Sequence, residues 1–503
     1  MAEQEQLHSA LQDNFATIRD AFGNSPDIVT SVIQFTAWNG ENVGVVYMEG
    51  LVDAKTVHDM IMEPLLLANK SSGRKAGAPR PDIMAYLRSN LPGIGEDAAV
   101  RRLQELIAAI LDGKTVILAD GFSYGWSAHT TGGKERSVEE PTTQSVVRGP
   151  RDAFTESINT NLSLLRKRIR SPKLWYEPLT IGELTQTKVG IVFIHGVVND
   201  KVVAEVRQRL ARIDIDGILE SSYIEELIQD ETFTPFPTIY SSERPDVIAG
   251  GLLEGRVAIL VDGTPFVLMA PALFVQFYQS AEDYYQRPEF ATLIRILRCI
   301  CFFISLLAPS LYIAITTFHQ ELLPSGLLFS LAAQREGIPF PAYVEALMME
   351  VTFEILREAG VRLPKTVGQA VSIVGALVIG QAAVEAGLVS PAMVIVVAIT
   401  AISNFVIPSF NMGISIRILR FLLMIFGATF GLFGVFVGVV AIVQHLCSMR
   451  SFGVPYMAPM SPLIPQDQKD VILRLPQWGL LTRPRLISRN RVRKHAKPTQ
   501  KPK

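Results

Sequence analysis

The sequence predicts an α/β N-terminal region of two duplicated subdomains, followed by an α-helical multi-pass membrane domain. Three observations carry this prediction. Two stretches repeat, LDGKTVILADG at Leu111–Gly121 and LEGRVAILVDG at Leu253–Gly263. Near residue 290 an ordinary mixed composition gives way to long uncharged runs. The 503 residues are 49% hydrophobic and the mean hydropathy is positive, which is high for a chain whose first half reads as soluble.

The repeat comes first along the chain. VGVVYMEGLVD (Val43–Asp53) matches VGIVFIHGVVN (Val189–Asn199) at an offset of 146, and the two Asp-Gly stretches match at an offset of 142. Two landmarks in one order at nearly one spacing predict a copied unit of strand, helix, strand and turn. Asp-Gly turns after strands are common by themselves, but the second landmark favours duplication. At Asp120-Gly121 and Asp262-Gly263, glycine tolerates positive φ and the aspartate is expected to hydrogen-bond back into a tight turn. The runs VGVVYM (Val43–Met48) and VGIVFI (Val189–Ile194) read as buried strands. Ala99, Val100, Leu103, Ile107 and Ile110 form an apolar stripe at helical spacing. Between the copies, the polar stretch Ser123–Arg148 reads as a linker, and a basic helix is predicted over Arg151–Arg170. The expected organisation is a first subdomain and linker over 1–150, a second subdomain over 151–290, a membrane domain over 291–447 and a basic tail over 448–503.

The membrane domain rests on four uncharged runs. These are Cys299–Phe318, Val367–Val384, Ala386–Ile416 and Phe421–Gln444, with twenty, eighteen, thirty-one and twenty-four residues. A spanning helix needs about twenty apolar residues, so each run is expected to cross. Leu322–Gln334 is too short to cross and holds Pro324 and Gly326, so it reads as re-entrant or interfacial. Arg295 and Arg298 before the first span and the tail after the last put both ends on the cytoplasmic side. Arg417 and Arg420 then fall on the outer side, which strains that rule. From Arg483 onward there are nine Lys or Arg and no acid. Such a tail is either a solvated end or a strip lying on anionic lipid.

Within this half, the second run is the most polar. Gln369, Ser372, Ala376, Ile379, Gln381 and Glu385 are the pore-lining candidates, because polar groups in hydrocarbon face protein or water. The bland reading is a helix buried in one subunit with a wet end at Glu385. On the amphipathic stretch Pro341–Gly360, Glu350, Glu354 and Glu358 repeat every four residues and are vestibule candidates that would form carboxylate rings in an oligomer. The alternative is a solvated face neutralised by Arg357 and Arg362. Gly427, Gly431, Gly434 and Gly438 are expected to form one packing face of the last span.

Several chemistries find no support. Net charge is −1, so no global field argues for nucleic acid. Cys299, Cys301 and Cys447 make no disulfide framework. GxGxxA at Gly93, Gly95 and Ala98 lacks a preceding strand and is read as a helix start rather than a dinucleotide fingerprint. No P-loop, metal motif, nucleophile elbow or other catalytic constellation stands out, and no enzyme activity, cofactor or metal is expected.

Two further segments are distinctive. They are VVRGPRDAFTESINTNLSLLRKRI at Val146–Ile169 and PFPTIYSSERPDVIAGGLLEGRVAILVDGTPFVLMAP at Pro235–Pro271, with EDYYQRPEF following at Glu282–Phe290. Together they resemble the spore germination proteins of the A-subunit (GerA) family of bacterial nutrient germinant receptors, over Asn14 to the SFGVPYMAP segment at Ser451–Pro459. Ala153 stands where the family pattern is expected to hold glycine. The resemblance implies a spore inner-membrane protein with a two-part cytoplasmic region, several membrane helices and a short cytoplasmic end. It implies partners: a permease-like B subunit that senses the nutrient and a lipoprotein C subunit, within a lipid membrane. It implies a homo-oligomeric ring, a pentamer, that forms a nutrient-gated channel for monovalent cations. The stage V sporulation AF protein of the same family, associated with the dipicolinate machinery, is not separated from a receptor subunit by this sequence. A scaffold or signalling subunit without a pore is the alternative. A secondary transporter ranks last, because the clear repeat lies outside the membrane half.

Overall fold

The structure is a computed structural model that describes residues 6–35, 41–70, 83–91, 93–132, 140–141, 144, 146–362, 380–490 and 492–493. Two compact units emerge. One holds residues 1–229, 239–271 and 481–500, and the other holds 230–238, 272–480 and 501–503.

The first unit contains two five-stranded antiparallel sheets with the same strand order. The first is β1 (Ile28–Phe35), β2 (Glu41–Met48), β3 (Ile94–Val100), β4 (Thr115–Ala119) and β5 (Gly125–Ala128), ordered β1-β2-β4-β5-β3. The second is β6 (Leu174–Ile181), β7 (Thr187–Ile194), β8 (Tyr240–Ser242), β9 (Val257–Val261) and β10 (Val267–Ala270), ordered β6-β7-β9-β10-β8. The register repeats too: Val43 pairs with Ala119 in the first sheet, and Val189 pairs with Val261 in the second.

The central strands β2, β4, β7 and β9 carry apolar runs without alternation because both faces are covered. In the first sheet Val46, Met48, Val116 and Leu118 pack under α1 (Leu11–Ala21) and α2 (Leu103–Leu111). Val43, Val45, Ile117 and Ala119 point to the other face, against Ile61, Leu65, Met84 and Leu87. Successive side chains in a strand point to opposite faces, so a run such as VGVVYM feeds two cores.

The Asp-Gly turns do something the sequence did not reveal. Gly121 and Gly263 have φ of 87° and 91°, as a tight turn requires. Their aspartates, however, reach the helix that begins each copy. Leu11 N–H donates to Asp120 Oδ1 at 3.1 Å, and Ile158 N–H donates to Asp262 Oδ1 at 3.0 Å. Gly121 N–H donates to Ser9 O at 2.8 Å, and Gly263 N–H donates to Glu156 O at 2.7 Å. Each carboxylate therefore satisfies an orphan donor at the start of α1 or of α3 (Ile158–Arg168). Asn14 and Asn161 repeat a second device, accepting from His8 N–H at 2.9 Å and Thr155 N–H at 2.7 Å.

A buried cation ties the copies together. Arg166 on α3 is 1% exposed and its Nε lies 2.9 Å from Asp27 Oδ2 in the turn before β1. Its Nη1 donates to Leu174 O at 2.6 Å and its Nη2 to Ser25 Oγ at 3.1 Å.

Three expectations need correction here. The predicted linker contains β5, a four-residue strand too short and too Gly- and Trp-rich to stand out. Ala99 and Val100 belong to β3, and the helix of that stripe starts only at Leu103. The tail is not free over its described part. Ser488 bridges Val198, Arg489 N–H donates to Val197 O at 2.9 Å, and Arg493 lies 3.5 Å from Glu254. Arg489 also pairs with Asp200, the first residue of α4 (Asp200–Ala211). Asp200 and Glu254 of the second copy thus supply the acids for Arg489 and Arg493.

The second unit is helical. Its helices are α5 (Pro288–Phe318), α6 (Ser325–Arg335), α7 (Ala342–Arg362), α8 (Gly380–Glu385), α9 (Pro391–Phe405) and α10 (Phe410–Ser448). Two of them, α5 and α10, are long and apolar enough to cross a membrane. The run Val367–Val384 lies mostly outside the described residues. The run Ala386–Ile416 is not one span: α9 has 15 residues, and the chain breaks before Ser409 caps α10 by accepting from Met412 N–H. Fifteen residues rise about 22 Å, short of the ~30 Å hydrocarbon core. Counting charges misses this break, because Pro408 and Ser409 are uncharged. The predicted interfacial segment forms α6, which buries none of its side chains.

α10 is itself broken. Gly431 has φ 62° and ψ −145°, outside the helical region. A β-carbon on Gly438 would lie 2.5 Å from Leu423 Cδ2. In a continuous helix those two positions would stand about 22 Å apart, so the chain reverses at Gly431 into a hairpin. Both open ends of the hairpin meet one segment: Ser415 Oγ donates to Pro235 O, and His445 Nε2 lies 2.9 Å from Thr234 Oγ1. Arg417 and Arg420 sit on the first arm of this hairpin, near its open end.

Candidate functional site: charges among the apolar helices

A charged side chain among apolar helices is costly unless it is paired or wet. The described residues show both solutions.

Glu350 on α7 is 1% exposed and lies 2.9 Å from Arg420 Nη2 on α10, itself 2% exposed. Glu354, one turn further, lies 2.6 Å from Arg417 and 3.5 Å from Arg420. Two acids and two guanidinium groups thus form a neutral cluster. The expected partners, Arg357 and Arg362, are mostly elsewhere. Arg357 lies over the Phe405 ring, 5.4 Å from its centroid, and Arg362 pairs at 2.7 Å with the exposed Glu358. The signal for the true partners was present in the sequence: two arginines at the edge of an apolar run demand acids. Within one chain, Glu350 and Glu354 face arginine.

Glu345 was not singled out by sequence reasoning. It is fully buried, lies 3.3 Å from Arg335 Nε, and accepts from Ser390 N–H at 3.0 Å and Ser390 Oγ at 2.9 Å. Ser390 caps α9, so this carboxylate fixes where α9 begins. A lone acid at the head of α7 carries no periodic signal.

At the start of α5, Asp283 receives Arg295 at 2.9 Å and Arg298 at 2.8 Å. Arg295 also reaches Asp470 Oδ1 at 2.9 Å. The two arginines that set the orientation in the sequence are therefore neutralised in the fold.

Of the pore-lining candidates, Gln369, Ser372, Ala376 and Ile379 lie outside the described residues. Gln381 and Glu385 stand on α8 with exposed side chains, and Gln381 Nε2 donates to Glu385 Oε1 at 2.9 Å. Among the described residues no cation pairs with Glu385. It thus differs from Glu345, Glu350, Glu354 and Glu358, each of which has one.

The four glycines do not form one face of a continuous helix, because Gly431 interrupts it. Gly434 and Gly438 face the other arm of the hairpin, where added β-carbons would meet Phe426 O and Leu423, whereas a β-carbon on Gly427 would meet Ser310 O of α5 at 2.8 Å and one on Gly431 the His319 ring at 2.7 Å. No group of His, Cys, Asp and Glu suited to a metal ion occurs among the described residues.

Comparison with known proteins identifies the kin. The family described as Bacillus/Clostridium GerA spore germination protein matches residues 16–486. Spore germination protein KA of Bacillus subtilis (strain 168) is 51% identical over 483 residues, covering 96% of this chain and 88% of that protein. Spore germination protein GerLA of Bacillus cereus is 38% identical, covering 96% of each chain. The N-terminal domain of the A subunit of the Bacillus megaterium spore germinant receptor GerK3 is 41% identical, covering 54% of this chain and 99% of that one, with a TM-score of 0.43. The match runs past Pro459 into the basic tail, further than the sequence motifs reached.

Proposed function

The chain belongs to the GerA family of spore germination proteins, and on that premise we propose that it is the A subunit of a spore germinant receptor, forming a nutrient-gated channel for monovalent cations. It resides in the spore inner membrane with both termini cytoplasmic. Copies assemble as a ring, a pentamer, and work with a permease-like B subunit and a lipoprotein C subunit. The chain is not an enzyme and holds no cofactor; its contribution is to conduct.

One observation carries the pore: the exposed Gln381–Glu385 pair, an acid with no cation partner among the described residues, whereas the four acids of α7 each have one. In a ring of copies, α8 and the polar residues Gln369 and Ser372 before it would surround an axis. Glu385 would then concentrate cations at one mouth. A reading without a pore, as a scaffold, draws support from the neutral Glu350–Arg420 cluster, which suits static packing.

The test is cation flux. The purified oligomer is placed in potassium-loaded liposomes, with and without Glu385→Gln. A leak lowered by the substitution supports the pore and its lining. No leak from a protein that remains oligomeric, even with B and C subunits added, supports the scaffold.

A further inference from the structure

A second cluster has no part in the channel reading. Where α5 begins, a cavity of ≈ 230 Å³ opens between α5, the second arm of α10 and the 457–472 segment. Its walls are apolar, built by Phe274, Phe302, Leu306, Ile442, Val443 and Met460. It is larger than the ~150 Å³ apolar cavity that admits a benzene ring.

Among the described residues, two polar groups on this wall are buried without a hydrogen-bond partner. They are Arg295 Nη2 and the Tyr278 hydroxyl. Arg295 is 4% exposed. A buried donor left unmade costs free energy, and both donors border one apolar space. The charge around them is unbalanced. Among the described residues, Arg295, Arg298 and Arg474 are buried here, Arg295 pairing with Asp283 and Asp470 and Arg298 with Asp283. Arg295 and Arg474 lie 5.4 Å and 5.7 Å from the centroid of the Tyr284 ring, whose hydroxyl donates to Asp470 at 2.8 Å. Among these five groups the guanidinium groups outnumber the carboxylates by one, beside an apolar cavity.

We infer that this cavity binds an anionic amphiphile, with its chain among Phe302, Ile442 and Val443 and its acidic oxygens on Arg295 Nη2 and the Tyr278 hydroxyl. A fatty-acid carboxylate and an anionic phospholipid share this chemistry. The phospholipid source rests on the membrane reading, whereas the site itself does not depend on conduction.

Cys299 lines the cavity and reports on it. In a full-length Cys301→Ala/Cys447→Ser background it is the only thiol, and its alkylation by N-ethylmaleimide is timed in detergent. Oleate and dioleoyl phosphatidylglycerol are the probes, with dioleoyl phosphatidylcholine as the neutral-charge control. Slowing of about tenfold by oleate or phosphatidylglycerol, but not by phosphatidylcholine, is expected. Oleate alone acting identifies a free amphiphile, and both acting identifies the shared chemistry. Tyr278→Phe should raise the half-protecting concentration about two- to tenfold, the worth of one hydrogen bond. Ile442→Trp should fill the space and abolish protection. Equal slowing by phosphatidylcholine, protection that survives Ile442→Trp, or no slowing by any probe overturns the site. Because ion flux is not read, failure here leaves the channel reading untouched.

Discussion

Glu350 and Glu385 belong to the same series of apolar helices and are treated in opposite ways. Glu350 is buried against Arg420. Glu385 is exposed, and its side-chain hydrogen-bond partner among the described residues is Gln381. The α/β unit repeats the first pattern, with Arg166 buried against Asp27. Where the fold wants a charge for architecture it supplies the opposite charge. A charge left without one needs another explanation, and for Glu385 the proposed one is water and ions at a pore.

The largest expected effect comes from breaking a matched pair. Arg420→Leu strands Glu350 in an apolar setting and should cost about 3–5 kcal/mol. Thermal unfolding of the detergent-purified protein measures this, and Arg420→Leu/Glu350→Leu should recover most of the loss. Recovery would show a replaceable structural pair, and its absence would mean that the cluster has a further role. In the α/β unit, Arg166→Met should cost a similar ~3 kcal/mol by stranding Asp27. Chemical denaturation with a probe in each subdomain would show whether the copies then unfold separately.

Smaller effects separate matched from merely helpful carboxylates. Asp120→Ala and Asp262→Ala should each cost about 1 kcal/mol, the worth of a helix cap. Near-equal losses in calorimetry are expected, because both aspartates bond the first turn of a helix at nearly one distance. A large asymmetry would show that the copies no longer share the device.

Glu225, on the Ser221–Ile228 helix, offers the mildest test. Burial, with a smaller contribution from the neighbouring Glu220, pushes its carboxyl up to about 7. The folded state therefore holds a proton that the unfolded chain releases near 4.5. Stability should fall as pH rises from about 4.5 to 7 and level off above. Glu225→Gln should flatten that slope and stabilise the protein at pH 8 relative to the parent. An unchanged slope would mean that other groups set it.

Much of this organisation was legible in the sequence. The matched landmarks at Val43, Val189, Asp120 and Asp262 gave the copies, because buried strands on a doubly covered sheet write continuous apolar runs. Their second function was hidden: a turn residue that caps a helix more than a hundred positions away leaves no local mark. Arg295 and Arg298 were read as an orientation signal before the first span, yet their acids, Asp283 and the distant Asp470, left no mark there. The hairpin at Gly431 escaped because glycine at that spacing reads equally well as a packing face. The helix break at Pro408 and Ser409 escaped because a charge count sees neither. Glu350 and Glu354 were found by their period, but whether such a stripe faces water or arginine is decided by Arg417 and Arg420, on another helix.

The most direct test of the central claim is the reversal potential of the purified oligomer in a planar bilayer under a potassium chloride gradient, compared between the parent and Glu385→Lys. If Glu385 stands at a cation-conducting mouth, the parent is cation-selective and the substitution moves the reversal potential toward that of chloride. A conducting protein whose reversal potential is identical with and without Glu385→Lys would contradict the account and place the ion path away from α8.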